Sequence, residues 1–357
     1  MSSRPPFLPR GAATAIGSLP HIDPQAACAL VRRYLTEIPI WPQLPRRSPL
    51  ENMYAQFSGV FPGVQVEDGR VWVDRGADLT EGLAQIFSDG EAGEVGNYAV
   101  TPDYAAGLQA FLSAPLSPSL VAVKGHITGP VSWGLTVTDQ ERRPLLYDET
   151  LAQAIAQMLR LQAAWQERAL RRLCPQTIVF VDEPYLSSFG SAFVPLSREQ
   201  AVSLISTTLE SISGLRGVHC CGNTDWSLLL ETPIDILSFD AYSFAVSLSL
   251  YPAELGAFVQ RGGIIAWGIV PNEATALAKE NVDSLLARWE EAIALLSAKG
   301  LDPEQLRSQS LVTPCCGLAG LSADDAERAL SLTKALSDAF RAKYWPGHPR
   351  RSGSGVA

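Results

Sequence analysis

Eight short apolar runs recur along the chain, at residues 13–17, 37–41, 120–124, 177–181, 217–220, 234–239, 263–267 and 310–313, and a loop and usually a helical segment follow each. The runs are continuous rather than alternating, as in parallel strands covered on both faces. Between them the helical period is plain. Residues 148–172 carry Leu151, Ile155, Met158, Trp165 and Ala169 on one face, and residues 281–297 carry Val282, Leu285, Leu286, Trp289, Ile293 and Leu296. Residues 323–341 carry Ala326, Ala329, Leu336 and Phe340, and open with Ser322 and Asp325 at capping-box spacing. Strands alternating with helices eight times predict an α/β fold, a (β/α)8 TIM barrel. A doubly wound sheet is the alternative, but no Gly-x-Gly-x-x-Gly follows the first strand. Residues 64–73 hold two alternating runs joined by Asp68-Gly69, the signature of a β-hairpin inserted between the second and third strands. Such a hairpin is a rim over one barrel end or a surface ornament. One catalytic barrel then occupies residues 11–344, with 1–10 and 345–357 as flexible tails.

Composition narrows the function. The net charge of −9 argues against nucleic-acid partners, which need a basic face. No run of apolar residues is long enough for a membrane span. The first residues lack the apolar stretch of a secretory signal, so a cytoplasmic location is expected. There, six cysteines read as thiols or metal ligands rather than disulfides. Cys28 and Cys174 stand alone, whereas Cys220–Cys221 and Cys315–Cys316 are adjacent pairs, and neighbours in sequence make strained disulfides with each other.

In a barrel the chemistry collects at the carboxyl ends of the strands. Read in order, those ends give Ile16-Gly17-Ser18, Asp182-Glu183-Pro184, His219-Cys220-Cys221, Asp240 and Cys315-Cys316-Gly317. Thiolates, an imidazole and a carboxylate are zinc ligands, and three protein ligands leave a position open for substrate. Because a strand has period two, His219 and Cys221 point together and Cys220 points away. The plainer alternatives are cysteines that pack in the core, and Asp182 and Glu183 as helix caps. His126, in the stretch GHITGP, reads as a ligand, a general acid or a residue bonded to backbone. Trp133 and Trp267 line a pocket or pack in the core. A zinc site with two thiolates and an open position suits a thiol substrate, since coordination removes the thiol proton. The bound sulfur stays nucleophilic, which predicts alkyl transfer to sulfur. A metallohydrolase uses harder ligands and an activated water.

TAIGSLP, the DEP after a strand, the His-x-Cys, the carboxylate after ILSF and the final Cys-Gly resemble the C-terminal catalytic barrel of cobalamin-independent methionine synthase. Its wider relatives include uroporphyrinogen decarboxylase and the zinc methyltransferases that act on coenzyme M. The resemblance runs from about residue 13 to 340, in short motifs whose order and spacing are specific. It implies that His219, Cys221 and Cys316 hold zinc, with Asp240 where the family has a glutamate ligand. It implies that Ile16, Gly17 and Ser18 contact homocysteine, and that Asp182, with Glu183 beside it, holds the amino group.

The departures point to the methyl donor. The folate-dependent family carries two barrels, and this chain has room for one. The tryptophan that supports folate is displaced to Trp133, and residues 267–272 lack the family's histidine. The second acidic contact to homocysteine is replaced around Ala55, in the stretch NMYAQF. A methylated corrinoid needs no acid at the leaving nitrogen. The resemblance therefore implies a zinc enzyme taking methyl from methylcobalamin or a corrinoid protein and giving it to a small-molecule thiol, homocysteine first. Transfer to coenzyme M or another small thiol is the second reading, motivated by Ala55. A barrel that binds zinc or a corrinoid protein without turnover is the third. A decarboxylase would need arginines at the mouth, and no strand end supplies them.

Overall fold

The computed structural model describes residues 7–67, 69–191, 194 and 196–346. The outer parts of both expected tails, residues 1–6 and 347–357, and Asp68 of the predicted turn lie outside them. The described tail residues meet the fold: the Arg10 amide donates to the Ser308 carbonyl, and the Trp345 ring lies 5.8 Å from that of Phe340.

Among the described residues ten strands form: β1 (Ala12–Ala13), β2 (Val64–Glu67), β3 (Arg70–Val73), β4 (Val123–Thr128), β5 (Thr138–Asp139), β6 (Thr177–Asp182), β7 (Leu215–Cys220), β8 (Ile236–Phe239), β9 (Ile264–Val270) and β10 (Ser310–Pro314). Seven make one curled parallel sheet in the order β1-β10-β9-β8-β7-β6-β4. Helices, among them Glu149–Arg171, Val282–Ser297 and Ala323–Tyr344, pack against its outer face.

The expected closed eight-stranded ladder is corrected at its second strand. Residues 37–43 run between β1 and β4 but make only isolated bridges, Ile40 to Lys124 and Ser18 to Gln43. The reason is in the sequence. Pro39 and Pro42 have no N–H to give, so a continuous ladder on both sides cannot form there. The sheet is TIM-like and stops short of closing as an eight-stranded barrel.

The predicted hairpin is β2 and β3, antiparallel, with Gly69 at φ +79°, a backbone conformation glycine adopts without strain. β3 also pairs in parallel with β5, which ties the insertion to the chain beyond the helix Pro130–Thr136.

Two layers of apolar side chains result from the strand alternation. Ala12, Ile16, Ile38, Ile178, Phe180 and Leu311 belong to a cluster inside the curl. Trp133 and Trp267 are fully buried in the larger cluster between sheet and helices, so both are core residues rather than pocket walls. No helix among the described residues is long and apolar enough to cross a membrane.

Candidate metal centre

Two strands distant in sequence bring three soft ligands together. His219 sits near the end of β7, Cys221 follows that strand, and Cys316 follows β10. Ligand atoms of the three lie within 4.8 Å of one another. Strand parity does the sorting within each cysteine pair. The buried Cys220 Sγ points to the Gly222 carbonyl at 3.5 Å, and the buried Cys315 Sγ to the Gly268 carbonyl at 3.2 Å. Burial pushes the Cys220 thiol up to about 12 and the Cys315 thiol well above its ordinary value, as for packed neutral groups.

The two clustered thiols behave oppositely. A hydrogen bond from Cys316 and the neighbouring His219 hold Cys221 down to about 4, against the effect of burial. Donating that hydrogen bond, together with burial, raises Cys316 well above the ordinary range. The pair thus shares a proton, one thiolate and one thiol. The His219 ring is aimed by its other side: Nδ1 lies 3.0 Å from the Ser238 hydroxyl, and the buried Nε2 has no partner among the described residues. A buried nitrogen without a partner, set among sulfurs, fits a zinc ion. The ring fixed through its second nitrogen is what metal-binding histidines show.

Asp182 is the register partner of His219 on the adjacent strand. Its buried Oδ1 is unpaired among the described residues, and burial pushes its carboxyl up to about 6 while His219 and Lys124 oppose that. The Ile16–Ser18 stretch lies alongside. The Ile16 carbonyl accepts from Lys124 Nζ at 2.6 Å, and the Ser18 carbonyl accepts from the Leu318 amide at 2.8 Å. A side chain at Gly317, next to Cys316, would collide with the Ser18 hydroxyl. Asp182 and the Ile16–Ser18 stretch therefore flank the cluster.

Two residues depart from their expected roles. Asp240 is not in the three-residue cluster. Its carboxylate caps the helix Ala241–Leu248 by accepting from the Ser243 amide at 3.0 Å. A shortened carboxylate at a helix N-terminus finds its partners locally. Glu183 takes the alternative reading given for it, a helix cap. It is 0% exposed and accepts from the Val131 amide at 2.9 Å, the Ser132 amide at 2.8 Å and the Ser132 hydroxyl at 2.6 Å, all at the start of the helix Pro130–Thr136.

Three polar residues escaped the sequence reading. Lys124 closes the apolar run LVAVK, and it turns into the barrel, its Nζ 4.1 Å from the centre of the Phe180 ring. Ser238 interrupts the run ILSF at the position that faces His219. Gln166 lies fully buried in the helix Glu149–Arg171. A charge or hydroxyl inside an otherwise apolar run was the available signal for the first two.

Fold and site together define a TIM-like α/β protein with a candidate soft-metal centre at the carboxyl ends of its strands. No family model matches the chain, and no curated protein matches it. Among solved structures it is similar to a methyltransferase from Methanosarcina mazei, at 14% identity and a TM-score of 0.55 over 94% of each chain. It is also similar to a B12-independent methionine synthase from Shewanella sp. W3-18-1 in complex with selenomethionine, at 19% identity and a TM-score of 0.46. That match covers 62% of this chain and 63%, under two thirds, of the other. At such identities the likeness is one of fold.

Proposed function

We propose that the protein is a zinc-dependent methyltransferase that moves a methyl group from a methylated corrinoid, free or carried on a protein, to a small thiol, homocysteine first. The observation that carries this is the convergence of His219, Cys221 and Cys316, with ligand atoms within 4.8 Å of each other. The shared fold of a protein described as a methyltransferase agrees with it. The whole barrel, residues 11–344, is the catalytic unit of this reading, and a reducing cytoplasm is its natural setting.

Zinc, when bound, supplies a soft Lewis acid that holds a substrate sulfur as thiolate at neutral pH. His219, Cys221 and Cys316 would hold it, with Ser238 fixing the imidazole. Asp182, one strand away, takes the acceptor's amino group. The Ile16–Ser18 stretch frames the acceptor beside the Cys316–Gly317 turn. In the transfer the acceptor sulfur bonds to the methyl carbon, the donor keeps the electron pair of the broken bond, and the thiol proton passes to solvent.

The test is metal content with methyl transfer. Purified protein is expected to carry one zinc per chain and to methylate homocysteine from methylcobalamin, and Cys316→Ser to lose both. Protein without stoichiometric zinc, or transfer unchanged in Cys316→Ser, overturns the reading. Coenzyme M as acceptor is the second reading. It is favoured by Ala55, whose buried methyl group stands where the resemblance expects an acidic contact. Competition between the two thiols in one assay separates them.

A further inference from the structure

His126 is 2% exposed, and neither ring nitrogen has a partner among the described residues. Everything else about the residue is fixed. Its backbone N–H donates to Gln166 Oε1 at 2.9 Å, and its carbonyl accepts from Gln166 Nε2 at 2.9 Å. The same Oε1 accepts from the Trp41 indole at 3.0 Å, and the Trp41 ring stacks on the imidazole with centroids 4.0 Å apart. Gly17 makes room for the ring: a Cβ there would lie 2.7 Å from both Cε1 and Nδ1 of His126. A buried imidazole with both nitrogens idle is costly, because each has given up water without gaining a partner. A fold that grips the ring this tightly and leaves its polar edge unpaired has kept that edge for another molecule.

The ring's place shows which molecule. His126 points to the inside of the curl, as register partner of the inward Phe180. Gly17 abuts the ring, Ser18 follows, and the Ser18 hydroxyl occupies the space beside Gly317, the neighbour of Cys316. The imidazole therefore lies inside the curl against Gly17, in the stretch whose next residue, Ser18, borders the Cys316–Gly317 turn. Burial keeps the imidazole neutral, and the Lys124 amine adds to that effect; it lies two residues back on the same strand face, bonded to the Ile16 carbonyl and opposed by Asp182. A neutral ring offers one N–H and one lone pair, and its N–H makes its strongest hydrogen bond to a charged acceptor, an anion.

We propose that His126 is a specificity-determining contact of the acceptor site, donating a ring N–H to an anionic head group, carboxylate or sulfonate, of a thiol whose sulfur goes to the His219–Cys221–Cys316 cluster. This rests on the function proposed above and adds the residue that reads the acceptor's anionic head group.

The test uses full-length protein loaded with cobalt(II), whose sulfur-to-metal absorption reports thiol binding directly. Wild type, His126→Phe and His126→Gln are titrated with 3-mercaptopropionate, 2-mercaptoethanesulfonate and 1-propanethiol. The phenyl ring keeps the stack on Trp41 and removes the donor, and the amide restores a donor. Loss of a hydrogen bond to a charged group should weaken the anionic thiols by roughly 10- to 100-fold in His126→Phe. Propanethiol should be unaffected, and His126→Gln should recover part of the loss. The two anionic arms tell carboxylate from sulfonate. Should the variants fail to fold, the wild-type zinc protein labelled with 15N-histidine gives a second readout, since the chain has four histidines. A His126 ring resonance must then shift with the anionic thiols and not with propanethiol. Equal losses for all three thiols, or no loss and no ring shift, would mean that a water fills the site, and the contact is overturned while the function stands. A cobalt spectrum that no thiol perturbs overturns the function itself, and this contact with it.

Discussion

His219 and Ser238 are register partners on adjacent parallel strands, and the serine hydroxyl lies 3.0 Å from Nδ1 of the imidazole. The bond decides which edge of the ring faces the two cysteines. With Nδ1 engaged, Nε2 is the nitrogen left to bind a metal, and the ring cannot swing away without losing a buried hydrogen bond.

Ser238→Ala should therefore weaken zinc binding without removing a ligand. Partners of metal-bound histidines typically account for about 10- to 100-fold in affinity. Competition against a chromogenic chelator would measure it, with the thermal unfolding of metal-free protein as control. Equal zinc affinity in the variant would show that the hydroxyl does not orient the ring.

The proton shared by Cys221 and Cys316 gives a second expectation. In metal-free protein Cys221 is held down to about 4 by the hydrogen bond from Cys316 and by His219. A lowered value means that the thiolate persists as pH falls. Alkylation of Cys221 by iodoacetamide should then stay nearly constant from pH 8 to 5 and drop only near 4, where an ordinary thiol loses about tenfold per unit below 8. Mass spectrometry of the Cys221 peptide reads this out. Cys316→Ala should return the profile to the ordinary thiol form. Zinc should protect both cysteines at every pH.

Glu183 offers a stability test remote from any metal. All three of its described partners are donors, so the amide nitrogen of Glu183→Gln would face an N–H. The cost is expected at about 1–3 kcal/mol in denaturant unfolding. Burial, opposed by the Ser132 and Val131 donors, pushes the carboxyl up to about 7 from 4.5. A folded value above the unfolded one stabilises fully below 4.5, and that contribution is lost as pH rises through about 7. The advantage of wild type over Glu183→Gln should therefore shrink between those limits. A gap that widens with pH would show that the carboxylate is ionised in its cap.

How much of this was legible in the sequence follows from what each residue depends on. The period of two along β7 needs only the order of residues, so His219 and Cys221 could be paired and Cys220 turned away from sequence alone. Residues 37–41 looked like a strand by composition, but Pro39 and Pro42 remove the amides that a ladder requires. Asp240 stands at the expected strand end and is the right residue type. Whether its carboxylate turns to a metal or to the Ser243 amide depends on the helix that starts beside it. The same holds for Glu183 and the helix Pro130–Thr136. His126 was open to three readings because its partners, Trp41, Gln166 and Gly17, come from three distant segments. Only the folded chain shows that Gln166 holds the backbone, that Trp41 and Gly17 lie against the ring, and that the ring nitrogens have no partner among the described residues.

Gly17 and His126 close the chain of dependence between the two halves of the site. The three heavy atoms nearest to a Cβ built on Gly17 all belong to the His126 ring, at 2.7, 2.7 and 3.1 Å. Gly17→Ala should therefore act through that ring, and overpacking of this kind costs about 1–3 kcal/mol. The ring must shift or the backbone at Gly17 must retreat, and either displaces the polar edge of the imidazole. Zinc affinity should be unchanged, because no ligand is touched, while affinity for an acidic thiol falls. A double-mutant cycle isolates the cause. In a His126→Ala background the added methyl meets open space, so most of the stability loss from Gly17→Ala should disappear. If the two losses instead add, the methyl group is clashing with something other than the imidazole, and Gly17 is not what holds His126 in place.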